Sequence, residues 1–169
     1  MILMRFTDIF LALPSMLLMI VLNAILQPGL VTLIFVLSLF SWAQVARITR
    51  AETMSVKERD YVIATKNLGA GSLRIAFNHI IPNILGPVVV AASLGVASAI
   101  LMESSLSFLG LGVTPPTAEW GALLSEGRNF LDSAPWVSLL PASVVALSVI
   151  AITLLGRRVQ TLIAKGGIA

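Results

Sequence analysis

The sequence predicts an all-α integral membrane protein with four membrane-crossing helices. Three observations lead there. Of its 169 residues 57% are hydrophobic and only 11% charged, with a mean hydropathy of +0.98. A water-soluble domain cannot hide that much apolar surface. Four uncharged apolar runs, 9–26, 30–46, 80–102 and 136–155, each come close to the roughly 20 residues needed to cross a ~30 Å hydrocarbon core. The charged residues lie between these runs, and unevenly.

Taken in order, residues 1–8 are too short for the charged leader of a cleavable signal, so 9–26 reads as a retained span. Gln27, Pro28 and Gly29 separate it from the second span, and Pro with Gly breaks a helix where the chain must turn. The first two spans therefore form a tight hairpin. Arg47, Arg50, Lys57, Arg59, Lys66 and Arg74 follow the second span, Arg157, Arg158 and Lys165 follow the fourth, and Arg5 precedes the first. The 103–135 connection sets Glu103, Glu119, Glu126 and Asp132 against Arg128 alone. The positive-inside rule then puts both termini and the 47–79 segment in the cytoplasm, and 103–135 outside. The net charge of +3 orients the protein in the membrane, and nucleic acid is not an expected partner.

The 47–79 segment is the one long polar interval. Ser55 with Glu58 three residues on has the form of a capping box, worth about 1 kcal/mol. Gly69 stops the helix that follows, in the left-handed conformation a β-carbon disfavours. Gly71 and Ser72 restart the chain, and Leu73, Ile75, Phe77, Ile80 and Ile81 lead a second helix to the membrane. On spacing alone this is a cytoplasmic helical hairpin, with or without a partner.

The residue types narrow that choice. The stretch DYVIATKNLGAGSLRIAFNHIIPN, with Ala64 upstream of Gly69 and Pro82 thirteen residues after it, resembles the cytoplasmic "EAA" loop of ABC-importer permeases. Its form is that of the dipeptide/oligopeptide/nickel branch. RFTDIFLALPS from Arg5, and ESSLSFLGLGVTPPTAEWGALLSEGRNFL followed by APW, are similar to an inner span and the outer loop of the same branch. The resemblance covers nearly the whole chain, in order. It implies four spans of a type I permease core, with a coupling loop over 61–82. The residues carrying that loop are Tyr61, Ala64, Leu68, Gly69, Ala70, Leu73, Arg74, Phe77 and Pro82. Members of the family have six spans and this sequence matches the last four, so the resemblance implies an N-terminally truncated member or C-terminal fragment.

Two departures stand out. Ile63, Ala64 and Thr65 occupy the place of Glu-Ala-Ala, which removes a charge that would face the ATPase. After Leu155 and Gly156 the chain reads RRVQTLIAKGGIA, where the family continues with an acidic tail.

Other features weigh little. Without cysteine there is no disulfide or thiolate site. His79, the only histidine, has no second ligand of suitable type nearby, and a polar contact at the membrane edge accounts for it. Glu103 ends the third span at its outer, solvated side. Gly110 and Gly112 belong to no Gly-x-x-x-x-Gly-Lys-Ser/Thr phosphate loop. Met16, Met19, Met54 and Met102 are scattered and serve apolar packing rather than copper. Ala91, Gly95 and Ala99, four apart, form a small-residue seam that lets a neighbouring helix approach closely, whether from this chain or from a second permease. Pro14, Pro82, Pro87 and Pro141 lie in or at the ends of spans, where neighbouring helices or water must satisfy the freed carbonyls.

The expected function is a permease subunit in the bacterial or archaeal cytoplasmic (inner) membrane, without cofactor and without catalytic residues of its own. The resemblance implies a second permease, cytoplasmic ATP-binding subunits and an external solute-binding protein as partners, with lipid around them. The alternatives are a non-transporting remnant and a stand-alone secondary transporter or channel. The second would need polar groups inside its spans, and Asn23, Gln44 and Asn83 are few.

Overall fold

The computed structural model describes residues 2–26, 29–113 and 116–166, and among these all regular structure is helical. The helices are α1 (Ile2–Ala12), α2 (Ser15–Ile25), α3 (Leu30–Lys57), α4 (Asp60–Asn67), α5 (Ser72–Ile75), α6 (Ile81–Phe108), α7 (Trp120–Gly127) and α8 (Trp136–Gly166). A π-helical turn, Ala76–Ile80, joins α5 to α6, and a 3₁₀ turn, Arg128–Phe130, follows α7.

Among the described residues three rods are long and apolar enough to cross a membrane: α3, the continuous Ser72–Phe108 unit, and α8. At 1.5 Å per residue the 28 residues of α3 reach about 42 Å, so each rod outruns a bilayer core. The stretch 9–26, expected as one span, is instead divided between α1 and α2, which meet at 85°. Pro14 causes the break. Its ring pushes Leu13 out of the helical region, and Pro14 itself sits at φ −68°, ψ 98° as the cap of α2. Each half is 11 residues, about 16 Å, so only the pair together can span. The turn expected at Gln27 and Pro28 lies outside the described residues.

α6 is the centre of the bundle, packing against α3, α7 and α8, while α1 and α2 pack on α3. Two apolar clusters hold the ends. One joins Met19 of α2, Leu33, Val36 and Phe40 of α3, and Leu106 of α6. The other joins Val56, Val62, Ile75, Ile80 and Ile84 under the 60–83 hairpin. Phe10 lays its ring 5.9 Å from Phe40 and 5.7 Å from Trp42, and Arg47 pairs with Asp8 at 2.6 Å, fixing α1 along α3. Elsewhere large side chains such as Leu147, Leu154 and Leu162 face outward, as a chain solvated by lipid requires.

One further sequence expectation changes. Ser55 caps no helix: α3 runs unbroken through it to Lys57, and Arg59 caps α4 without a side-chain bond. Extending a formed helix costs less than nucleating a new one. The helix that carries the third span continues past Glu103 to Phe108. Along the 91, 95 and 99 stripe, Ala91 is buried, while nothing in this chain lies within 4 Å of the place a β-carbon would occupy on Gly95. Gly95 and Ala99 line an open groove against Trp42, Val45 and Thr49. A tight crossing is Gly156 of α8 against Ser93 of α6, where an added β-carbon would collide with the serine side chain.

Candidate functional site

The 60–83 hairpin is assembled from two short helices and a glycine turn. Asp60 opens α4 in the first turn and Lys66 closes it, each complementing the helix dipole. The helix then ends in a Schellman turn: Gly69 N–H bonds Lys66 O at 3.0 Å and Ala70 N–H bonds Thr65 O at 3.3 Å. That geometry needs a left-handed residue, and Gly69 has φ +84°. Gly71 then leads into α5.

The hairpin has a dry side and a bare side. Val62 and Ile75 turn inward onto Val56, Ile80 and Ile84, with Ala70 packed at the edge. On the other side Leu68 is 88% exposed, Leu73 75% and Phe77 65%, with Tyr61, Ala64 and Arg74 also exposed. Apolar groups clustered like this on a polar segment mark a surface that another molecule covers. Tyr61 lies with its ring 6.1 Å from that of His79, linking α4 to the π turn.

The π turn has a local cause. Pro82 has no N–H to offer Asn78, and Ile81 N–H reaches back to Ala76 O instead. The Asn83 side chain donates to His79 O at 2.7 Å, holding the widened turn. Pro82, exposed at the start of α6, therefore shapes the hairpin's exit rather than its contact face.

Of the nine residues expected in this loop, Leu68, Leu73 and Phe77 form the outward apolar face, with Tyr61, Ala64 and Arg74 exposed beside them. Gly69 and Ala70 make the turn and Pro82 the exit. The inward set, Val56, Val62, Ile75, Ile80 and Ile84, was missed as part of the site. Its signal was the spacing of Ile75, Ile80 and Ile84 on one face of the helix that enters the bundle.

The opposite end carries a second constellation that sequence reading did not find. α6 also ends in a Schellman turn, with Gly110 at φ +79° and N–H bonds from Gly110 to Ser107 O and from Leu111 to Leu106 O, both 2.9 Å. Here the Glu119 carboxylate reaches back. It accepts from Ser107 Oγ and, at 2.9 Å, from Val113 N–H. Asn23 of α2, 1% exposed, donates its amide to Leu111 O, and its own Oδ1 is buried without a partner. Among the described residues no group of histidine and acidic side chains is arranged to hold a metal ion.

Comparison with known proteins places this architecture. The model of the family described as "Binding-protein-dependent transport system inner membrane component" matches residues 1–166. The chain is 46% identical over 153 residues to the "Di/tripeptide transport system permease protein DppC" of Pseudomonas aeruginosa, covering 90% of this chain and 50% of that protein. It is 44% identical over 155 residues to the "Dipeptide transport system permease protein DppC" of Escherichia coli K12, covering 92% and 52%. To the "Oligopeptide transport system permease protein OppC" of Bacillus subtilis it is 39% identical over 155 residues, covering 92% and 51%. The chain thus spans about half the length of the curated relatives it matches. Across nearly all of its own length, hairpin included, it belongs to the family of binding-protein-dependent transport system inner-membrane components.

Proposed function

We propose that the chain forms part of the translocation path of an ATP-driven importer for peptides or a related small solute. The observation that carries this is the bare apolar face of Leu68, Leu73 and Phe77 on a rigid hairpin between two long apolar rods. Family membership and the names of the relatives support the same reading. The hairpin is then the coupling element. A cytoplasmic ATP-binding subunit covers its bare face, and its inward cluster ties any displacement to α3 and α6. The chain hydrolyses nothing itself. A second permease completes the path, and a solute-binding protein delivers cargo on the other side.

The orientation that goes with this reading puts the 60–83 hairpin and both termini in the cytoplasm and the Glu119 loop outside, as charge asymmetry favours. Reporters fused after Arg59 and after Glu126 should label from opposite sides of the membrane.

Gly69→Glu tests the coupling assignment. A side chain at φ +84° is strained by about 1 kcal/mol, too little to unfold a membrane bundle, and it adds bulk and charge to the docking face. Membrane insertion should be intact while co-purification of the ATPase from the assembled transporter is lost. Normal ATPase binding and uptake by that variant would overturn the assignment.

A further inference from the structure

Beside the hairpin's inward cluster lies a groove of about 740 Å³, walled by the end of α3, by α4 and by the α5–α6 rod. Its floor is apolar, with Val62, Ile75, Ile80 and Ile84. Lys57 from α3 and Lys66 from α4 both line it, with the hydroxyl of Ser72 and the amide of Asn67, while the Thr53 hydroxyl at its edge is already donated to Thr49 O at 2.7 Å. No carboxylate lines it, although Glu58 and Asp60 are close in the chain. Arg47–Asp8 is the one ion pair formed among the described residues, so neither lysine is neutralised by a neighbour.

We infer that this groove binds a phospholipid with an anionic headgroup. The groove opens where two membrane-length rods, α3 and α6, leave the apolar region, which is where a lipid headgroup sits. Two uncompensated ammonium groups beside hydroxyl and amide donors suit a phosphodiester, and the isoleucine floor suits the first part of an acyl chain. A free anion would leave that floor uncovered, and a neutral lipid would leave the lysines unpaired. Arginine is not required, because the site offers point charges rather than a planar fork. The bound lipid touches the face of the hairpin opposite Leu68 and Leu73, so it braces the element that carries the docking surface. The inference rests on the coupling reading only in taking this end as the one facing the anionic cytoplasmic leaflet.

Purified full chain in neutral detergent, mixed with equal amounts of phosphatidylglycerol and phosphatidylcholine, provides the test by native mass spectrometry. Phosphatidylglycerol should be retained preferentially. The double variant Lys57→Ala/Lys66→Ala should lose that preference by roughly thirtyfold, about fivefold for each lysine near an anionic surface. Lys57→Arg/Lys66→Arg should keep it, which separates charge from misfolding, and Arg128→Ala should be unchanged. Equal retention of the two lipids, or an undiminished preference in the double alanine variant, overturns the site. Glycerol phosphate competing as well as the whole lipid overturns the lipid assignment in favour of a simple anion site. Because the measurement is made in detergent, it is independent of orientation. Reporters showing the hairpin outside would sink the coupling reading while leaving the lipid result standing.

Discussion

Gly69 and Gly110 end their helices with the same pair of backbone hydrogen bonds and nearly the same dihedral, φ +84° and +79°. What surrounds the two turns could hardly differ more. After Gly69 the chain turns its apolar side chains outward, and among the described residues no side-chain hydrogen bond from another element fastens the turn. After Gly110 it is tied down by Glu119, Ser107, Val113 and Asn23, and glycines at 112, 121 and 127 leave no room for a β-carbon. Identical local chemistry thus serves two purposes: one turn presents a surface and the other closes a cap. A Schellman glycine identifies where a helix stops and says nothing about what the stop is for. That is decided by side chains from distant elements.

The comparison is broken most severely at Gly121. A β-carbon there would land on the backbone carbonyl of Ser104, so α6 and α7 must part for Gly121→Val to fold. Overpacking against backbone rather than a movable side chain should cost about 3 kcal/mol. Thermal unfolding of the purified chain would show a clear drop; an unchanged midpoint would mean that α7 is not held as described.

Glu119→Ala should have the next largest effect. It removes a charged acceptor from Ser107 and Val113, and bonds of that type are worth about 2 kcal/mol. The loss should be local. Amide exchange at Val113 should rise by more than tenfold, while exchange at Ala70 in the other turn stays as it was. Equal acceleration at both would deny that the cap is independently fastened.

The smallest effect sharpens the comparison instead of breaking it. Gly69→Ala and Gly110→Ala share the backbone strain and both have open space at the β-carbon, so each should cost about 1 kcal/mol. Denaturation midpoints should therefore match. Where a large mismatch appeared, the surroundings rather than the dihedral would be setting the cost.

Much of this was legible beforehand, for identifiable reasons. Helical rods need only uncharged runs, and the sequence shows them. Gly69 was readable because a left-handed stop favours one residue type. The break at Pro14 was visible as a proline, but its 85° angle depends on how α1 and α2 pack on α3. Glu119 and Asn23 could not be read as fasteners, because their partners are Val113, Ser107 and Leu111, met only after folding. The approach of Gly156 to Ser93 was hidden for the same reason, since it joins α8 to α6 only after folding.

The corner at Pro14 has a consequence for what surrounds it. A right-angled break takes Leu13 out of the helical ladder, while the Pro14 carbonyl still accepts from Leu18 N–H at 3.2 Å, and oil offers the Leu13 carbonyl no donor. Irregular backbone at membrane depth persists only where protein or water supplies one. A cavity of about 160 Å³ lies against this corner, bordered by Leu11, Leu13 and Ser15 on one side and by Ser41, Gln44 and Ser98 on the other. The rest of the wall, with Phe10, Met19, Leu37, Phe40 and Met102, is apolar. The corner is thereby faced by side chains of α3 and α6, including a small polar patch, rather than left bare to lipid.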